Sequence, residues 1–184
     1  MRTALLVVVA LLLPAMVYAS SPQVSDPYRD VHAGFEILIP YGWDFGLLGP
    51  TSVVISSPRA LKHWVSVGFG VHAVGPFFVS VVDEFAPERF RERCTNDPSD
   101  PRPVVERVYV EIHIAGQVAH SCSEYSTEFD EYYGPEALDR RVIVQNPAGG
   151  AVSFRLLSCS TERCERTRDL FEAMLASLTW LGWQ

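Results

Sequence analysis

YRDVHAGFEILIPYGWDF, residues 28–45, is the stretch that decides the fold. Phe35, Ile37 and Ile39 recur at every second position, the period of a strand that buries one face. The strand runs into Pro40-Tyr41-Gly42-Trp43, where proline presets one backbone angle and glycine admits conformations that other residues avoid.

Upstream, Met1 to Ala19 carries one basic residue, Arg2, then an apolar run from Ala4 to Leu13, and ends in Val17-Tyr18-Ala19. Small residues at the −3 and −1 positions predict signal-peptidase cleavage before Ser20. The run is too short to span a bilayer, which needs about 20 residues. No cysteine precedes Cys94, so the modified cysteine of a lipoprotein is missing. The expected organisation is a signal peptide over 1–19, a Pro/Ser linker over 20–27 and a single domain over 28–184. The expected location is periplasmic or secreted, with no stable membrane anchor after cleavage.

The 165 residues left suit one domain with a sizeable core. They hold 14 basic and 22 acidic side chains, a net charge of −8. That sign excludes nucleic acid as a partner class and disfavours anionic lipid. The arginines are scattered along the chain, which reads as composition and not as a basic patch.

Cys94, Cys122, Cys159 and Cys164 all lie in the exported part. Four cysteines in an oxidising compartment predict two disulfides, with three connectivities open. Cys94–Cys122 with Cys159–Cys164 is the favoured set. Loop-closure entropy gives about 3.6 kcal/mol for the longer loop and about 2 for the shorter. Redox pairs usually have two intervening residues, and Cys159 and Cys164 have four.

Further along, Thr51 to Ser57 and the alternating His63 to Val74 read as strands. Phe78, Val81, Val82 and Phe85 fall at helical spacing, which predicts a helix over 77–93, bent or restarted at Pro87. The segments 104–114 and 117–126 form a hairpin closed by Ala115-Gly116. A two-residue loop places Ile114 opposite Gln117, and hence Arg107 opposite Glu124, Tyr109 opposite Cys122 and Glu111 opposite His120. A second hairpin joins 139–146 to 151–159. A helix over 165–178 buries Leu170, Phe171, Met174, Leu175 and Leu178.

Gly34-Phe35, Pro40-x-Gly42-Trp43, the helix expected around Val81, the hairpin glycine Gly116 and the stretch from Phe171 to Leu178 together resemble the PsbP-like family. The resemblance implies an α+β fold, an antiparallel sheet flanked by helices on both faces in an α/β/α sandwich. It also implies an extrinsic assembly or accessory role. It supplies no shared catalytic constellation and no cofactor.

Three constellations bear on function. Glu111, His113 and His120 share a face of the first hairpin and offer two imidazoles and a carboxylate to zinc or copper; the plainer account is a Glu111–His120 surface pair. The segment from Glu124 to Glu136 interleaves acids with Tyr125, Phe129, Tyr132 and Tyr133, as a protein-binding loop would; alternatively its aromatics fold back on the core. Trp43, Trp64, Trp180 and Trp183 read as packing more readily than as a ligand groove. No Gly-x-Ser-x-Gly elbow, phosphate loop or His-Glu-x-x-His motif occurs. The expected function is therefore an exported non-enzymatic domain that binds another envelope or secreted protein. The alternatives are a periplasmic metal- or small-ligand-binding protein using the His/Glu set and, more remotely, a secreted hydrolase.

Overall fold

The computed structural model describes residues 24–58, 61, 77–95, 106–126, 137–159 and 162–182. Its strands are β1 (Val24–Asp30), β2 (Phe35–Pro40), β3 (Asp44–Gly49), β4 (Ser52–Ser56) and β5 (Phe77–Val82). Helix α1 (Pro87–Thr95) follows, then β6 (Glu106–Ile114), β7 (Gln117–Ser126), β8 (Ala137–Gln145) and β9 (Ala151–Cys159). A 3-10 turn (Glu162–Cys164), α2 (Glu165–Ala176) and β10 (Thr179–Trp180) complete the order. All described pairings are antiparallel, in a small sheet β1-β2-β10 and a seven-stranded sheet β3-β4-β5-β9-β8-β7-β6, so the fold is α+β.

The Pro40–Trp43 turn closes with the Trp43 amide donating to the Pro40 carbonyl at 2.9 Å. Gly42 sits at φ +75°, as the third residue of a type II turn must. β1 begins at Val24, so its first residues come from the segment expected as linker. Pro27 is tolerated there because β1 is an edge strand and an edge has amides to spare.

The first hairpin has the expected register along its whole length, from Ile114–Gln117 to Glu106–Tyr125. Ala115 and Gly116 have φ of +50° and +75°, the two positive values a type I′ loop requires. The second hairpin pairs Gln145 with Ala151. Its Gly150 is held at φ +69°, and a Cβ there would lie 2.5 Å from the Val82 carbonyl oxygen, so only glycine fits.

The helix expected over 77–93 is corrected: its first part is strand β5, and only Pro87–Thr95 is helical. Phe77 and Val79 are buried while Phe78 and Ser80 are half-buried, and β5 is hydrogen-bonded to both β4 and β9. Two ladders outweigh a local 3.6-residue pattern in a run of valine and phenylalanine, which favour strands anyway. Pro87 opens α1, where its missing N–H costs nothing. The strand expected over 63–74 lies outside the described residues.

The core gathers Phe35, Ile37 and Ile39 of β2 with Phe77, Val142, Val144, Phe154 and Leu156 of the large sheet. Phe171, Met174 and Leu175 of α2 are buried in the same cluster, as the spacing predicts. The Phe171 ring centroid is 5.3 Å from that of Phe77, which also stacks on Trp43 at 4.9 Å. α2 packs against β1, β2 and β9, whereas α1 packs against β6 and β7. The Cys94–Cys122 disulfide ties α1 to β7. Cys164 is also buried and disulfide-bonded; the Cys159 side chain lies outside the described residues.

Candidate functional site

Strand alternation divides the large sheet's side chains into two sets. Ala119, Val142, Val144, Val152, Phe154 and Leu156 join the core. Their neighbours in the same strands are His120, Cys122, Glu124, Asp139, Arg141, Ile143, Ser153 and Arg155, and these turn the other way. Charge cannot be buried in the core without a partner, so the polar set takes the side that α1 covers only in part.

Between α1, the β5–α1 connection and strands β7 to β9 lies an open cleft of about 810 Å³. Buried Ile143 and the Cys94–Cys122 bridge form part of its floor, and Val82, Phe85 and Phe90 add apolar wall. Arg89 and Arg93 reach it from α1, and Arg141 and Arg155 from β8 and β9. The arginines that read as scattered are thus partly gathered, because three separate elements contribute them.

These cations differ in how they are engaged. Arg155 is held by Asp139 through two hydrogen bonds, of 2.9 and 2.5 Å. Glu124 faces Arg107 across the β6–β7 ladder at 3.5 Å. Arg141 lies directly opposite Arg155, a like-charge pair that Asp139 offsets on one side only. Arg89, Arg93 and Arg141 are exposed and form no ion pair with any described residue.

Around Arg91, midway along α1, a second polar group is assembled. The Tyr109 hydroxyl is 2.7 Å from His120 Nδ1 and 3.1 Å from Glu111 Oε1. Arg91 of α1 donates to the same Glu111 oxygen and lies over the Tyr109 ring. His120 is 4% exposed, packs against Phe85 with centroids 5.3 Å apart, and its Nε2 has no partner among the described residues. Burial lowers the His120 pKa, with Glu111 and Glu88 opposing and Arg91 adding to the shift. Tyr109 and Arg91 hold the Glu111 pKa below the ordinary carboxylate value.

The structure therefore places Glu111 opposite His120, as the register requires, but does not gather a metal set with His113. Among the described residues no three of His, Cys, Asp and Glu stand together in a way that could hold a metal ion. Glu111 and His120 are instead committed to Arg91 and Tyr109, and His113 pairs with Val118. Of the expected binding aromatics, Tyr125 belongs to β7 opposite Leu138 and Glu106, while Phe129, Tyr132 and Tyr133 lie outside the described residues. Trp43 and Trp180 pack against the core.

No protein-family model matches the chain, and no curated protein is similar to it in sequence. Its fold is that of PsbP. Cyanobacterial PsbP (CyanoP) from Synechocystis superposes with a TM-score of 0.53 at 18% identity, over 84% of this chain and 91% of that one. A protein from Bacteroides thetaiotaomicron gives 0.46 at 14% identity, over 82% of this chain and 46% of that one. LpqN, involved in cell envelope biogenesis of Mycobacterium tuberculosis, gives 0.46 at 10% identity, over 80% and 83%. No helix among the described residues is long and apolar enough to cross a membrane.

Proposed function

We propose that this chain is an exported, non-enzymatic accessory domain that binds another envelope or secreted protein through the cleft beneath α1. The observation that carries the reading is the cleft itself: a concave site of about 810 Å³ lined by Arg89 and Arg93 of α1 and Arg141 of β8, which form no ion pair with any described residue. Arginine beside aromatic wall is the composition that dominates protein-binding surfaces. The PsbP fold and the leader-like 1–19 segment support an accessory role outside the cytoplasm. We take α1 and α2 to cover opposite faces of the large sheet, the α/β/α layering implied by the family resemblance.

The test is co-purification from the native host with a chromosomally tagged copy, read by mass spectrometry. A stoichiometric partner present with the wild type and lost with an Arg93→Gln/Arg141→Gln variant is the expected result. A partner retained at full yield by that variant would remove the cleft from the binding surface.

A further inference from the structure

We infer that the cleft beneath α1 recognises an extended peptide segment in which carboxylate side chains alternate with apolar ones. This rests on the reading of the cleft as the partner site and adds the chemistry of what enters it. A guanidinium donates two parallel N–H bonds to a carboxylate, a geometry that a lysine ammonium does not offer. Arg89, Arg93 and Arg141 line one cleft from two sides, the first two on α1 and the third on β8. Anionic groups entering between helix and strand would meet donors on both walls.

The rest of the lining selects among anions. Glu84, Glu124 and Asp139 also border the cleft, and the whole chain carries a net charge of −7. A phosphate dianion or a polyanion would meet those three carboxylates at close range with nothing apolar to offset the repulsion. A peptide carrying single, spaced carboxylates avoids most of that cost. Its apolar side chains have Val82, Phe85, Phe90 and Ile143 to cover, and its amides have Glu84 and Ser153 as acceptors. The size also fits, since about 810 Å³ is in the range of sites that enclose a short ligand segment.

The experiment is fluorescence anisotropy with a labelled short peptide alternating glutamate with phenylalanine and leucine, and with its glutamine counterpart. The full exported chain is used with its disulfides intact. The glutamate peptide should bind, and the glutamine peptide about tenfold or more weakly, the loss expected for one charge-assisted pair. Arg93→Gln and Arg141→Gln, tested singly, should each weaken the glutamate peptide by a similar factor. Arg29→Gln, remote from the cleft and paired with Glu36, should change nothing. Melting curves matching wild type show that each variant is folded; because Arg93 and Arg141 come from different elements, either one suffices.

Equal binding of both peptides, or no binding of either, overturns the inference. So does displacement by inorganic phosphate at the peptide's own concentration, which would make the site a phosphate site. A host partner that is lost with the Arg93→Gln/Arg141→Gln variant while the glutamate peptide fails to bind would leave the cleft reading standing and this chemistry refuted. A partner indifferent to that variant would refute both.

Discussion

Phe154 and Arg155 are adjacent in β9 and point to opposite sides of one sheet, and the two sides obey different rules. On the Phe154 side, β5, β7, β8 and β9 present almost only apolar groups to α2 and β2, and little space is left. Besides the buried Ser121 and Ser158, Arg140 is the charged exception there among the described residues, and it is held by Glu172 and Ser121 with its guanidinium over the Phe171 ring. On the Arg155 side the same strands carry charges, a disulfide and a buried histidine beneath a short helix. The first side makes the fold stable. The second is free to carry a binding site, since little of the hydrophobic stabilisation depends on it.

The sharpest break of that comparison is a pair of neighbouring substitutions. Phe154→Ala, at a fully buried position, should cost about 3–5 kcal/mol in urea denaturation. Arg155→Gln should cost about 1 kcal/mol or less, because its pair with Asp139 is partly solvated. Similar costs for the two would mean that the polar side is also structural core.

Next in size is the link between α1 and β7. Replacing both Cys94 and Cys122 by alanine should lower stability by about 2–4 kcal/mol, the entropy released by opening a loop with a separation of 28 residues. Binding through Arg93 should suffer with it, as α1 loses its tether to β7. A double variant of wild-type stability would show that α1 is held by packing alone.

A smaller, pH-dependent effect comes from His120. Its folded pKa is depressed by burial, so below the unfolded value of about 6.5 the unfolded chain takes up the proton first. That contribution is fully present above about pH 6.5 and is lost as the pH falls below it. Melting temperature should therefore decline from pH 7 to 5 in the wild type and decline less in His120→Phe. Glu111, also depressed, acts in the same direction, but only below its ordinary value of 4.5, so the two windows separate. Equal slopes for wild type and His120→Phe between pH 7 and 5 would assign the decline to other groups.

The apolar side was largely legible in the sequence. Period-2 alternation and a two-residue Ala115-Gly116 loop leave one register for β6 and β7, and every pair follows from it. The α2 stripe is equally plain. β5 was not, because FFVSVV is apolar on both sides and its partners, β4 and β9, lie far away in the chain. β3, DFGLLG, buries no residue fully and so shows no apolar period, and β10 has only two residues. The cleft was the least legible feature. Its arginines stand at 89, 93, 141 and 155 with no motif spacing, and only the β8–β9 pairing and the folding of α1 over β7 bring them together. Likewise Glu111 and His120 were correctly placed opposite each other, but Tyr109 and Arg91, which engage them, complete the group from a neighbouring position and a different element.

Arginine-selective labelling with phenylglyoxal, read by mass spectrometry on the chain alone and with its co-purified partner, tests the central claim most directly. The account predicts that the partner suppresses labelling of Arg89, Arg93 and Arg141 and leaves unchanged Arg29 of β1 and Arg166 of α2, both exposed and outside the cleft lining. Undiminished labelling of the three cleft arginines in the complex would contradict it.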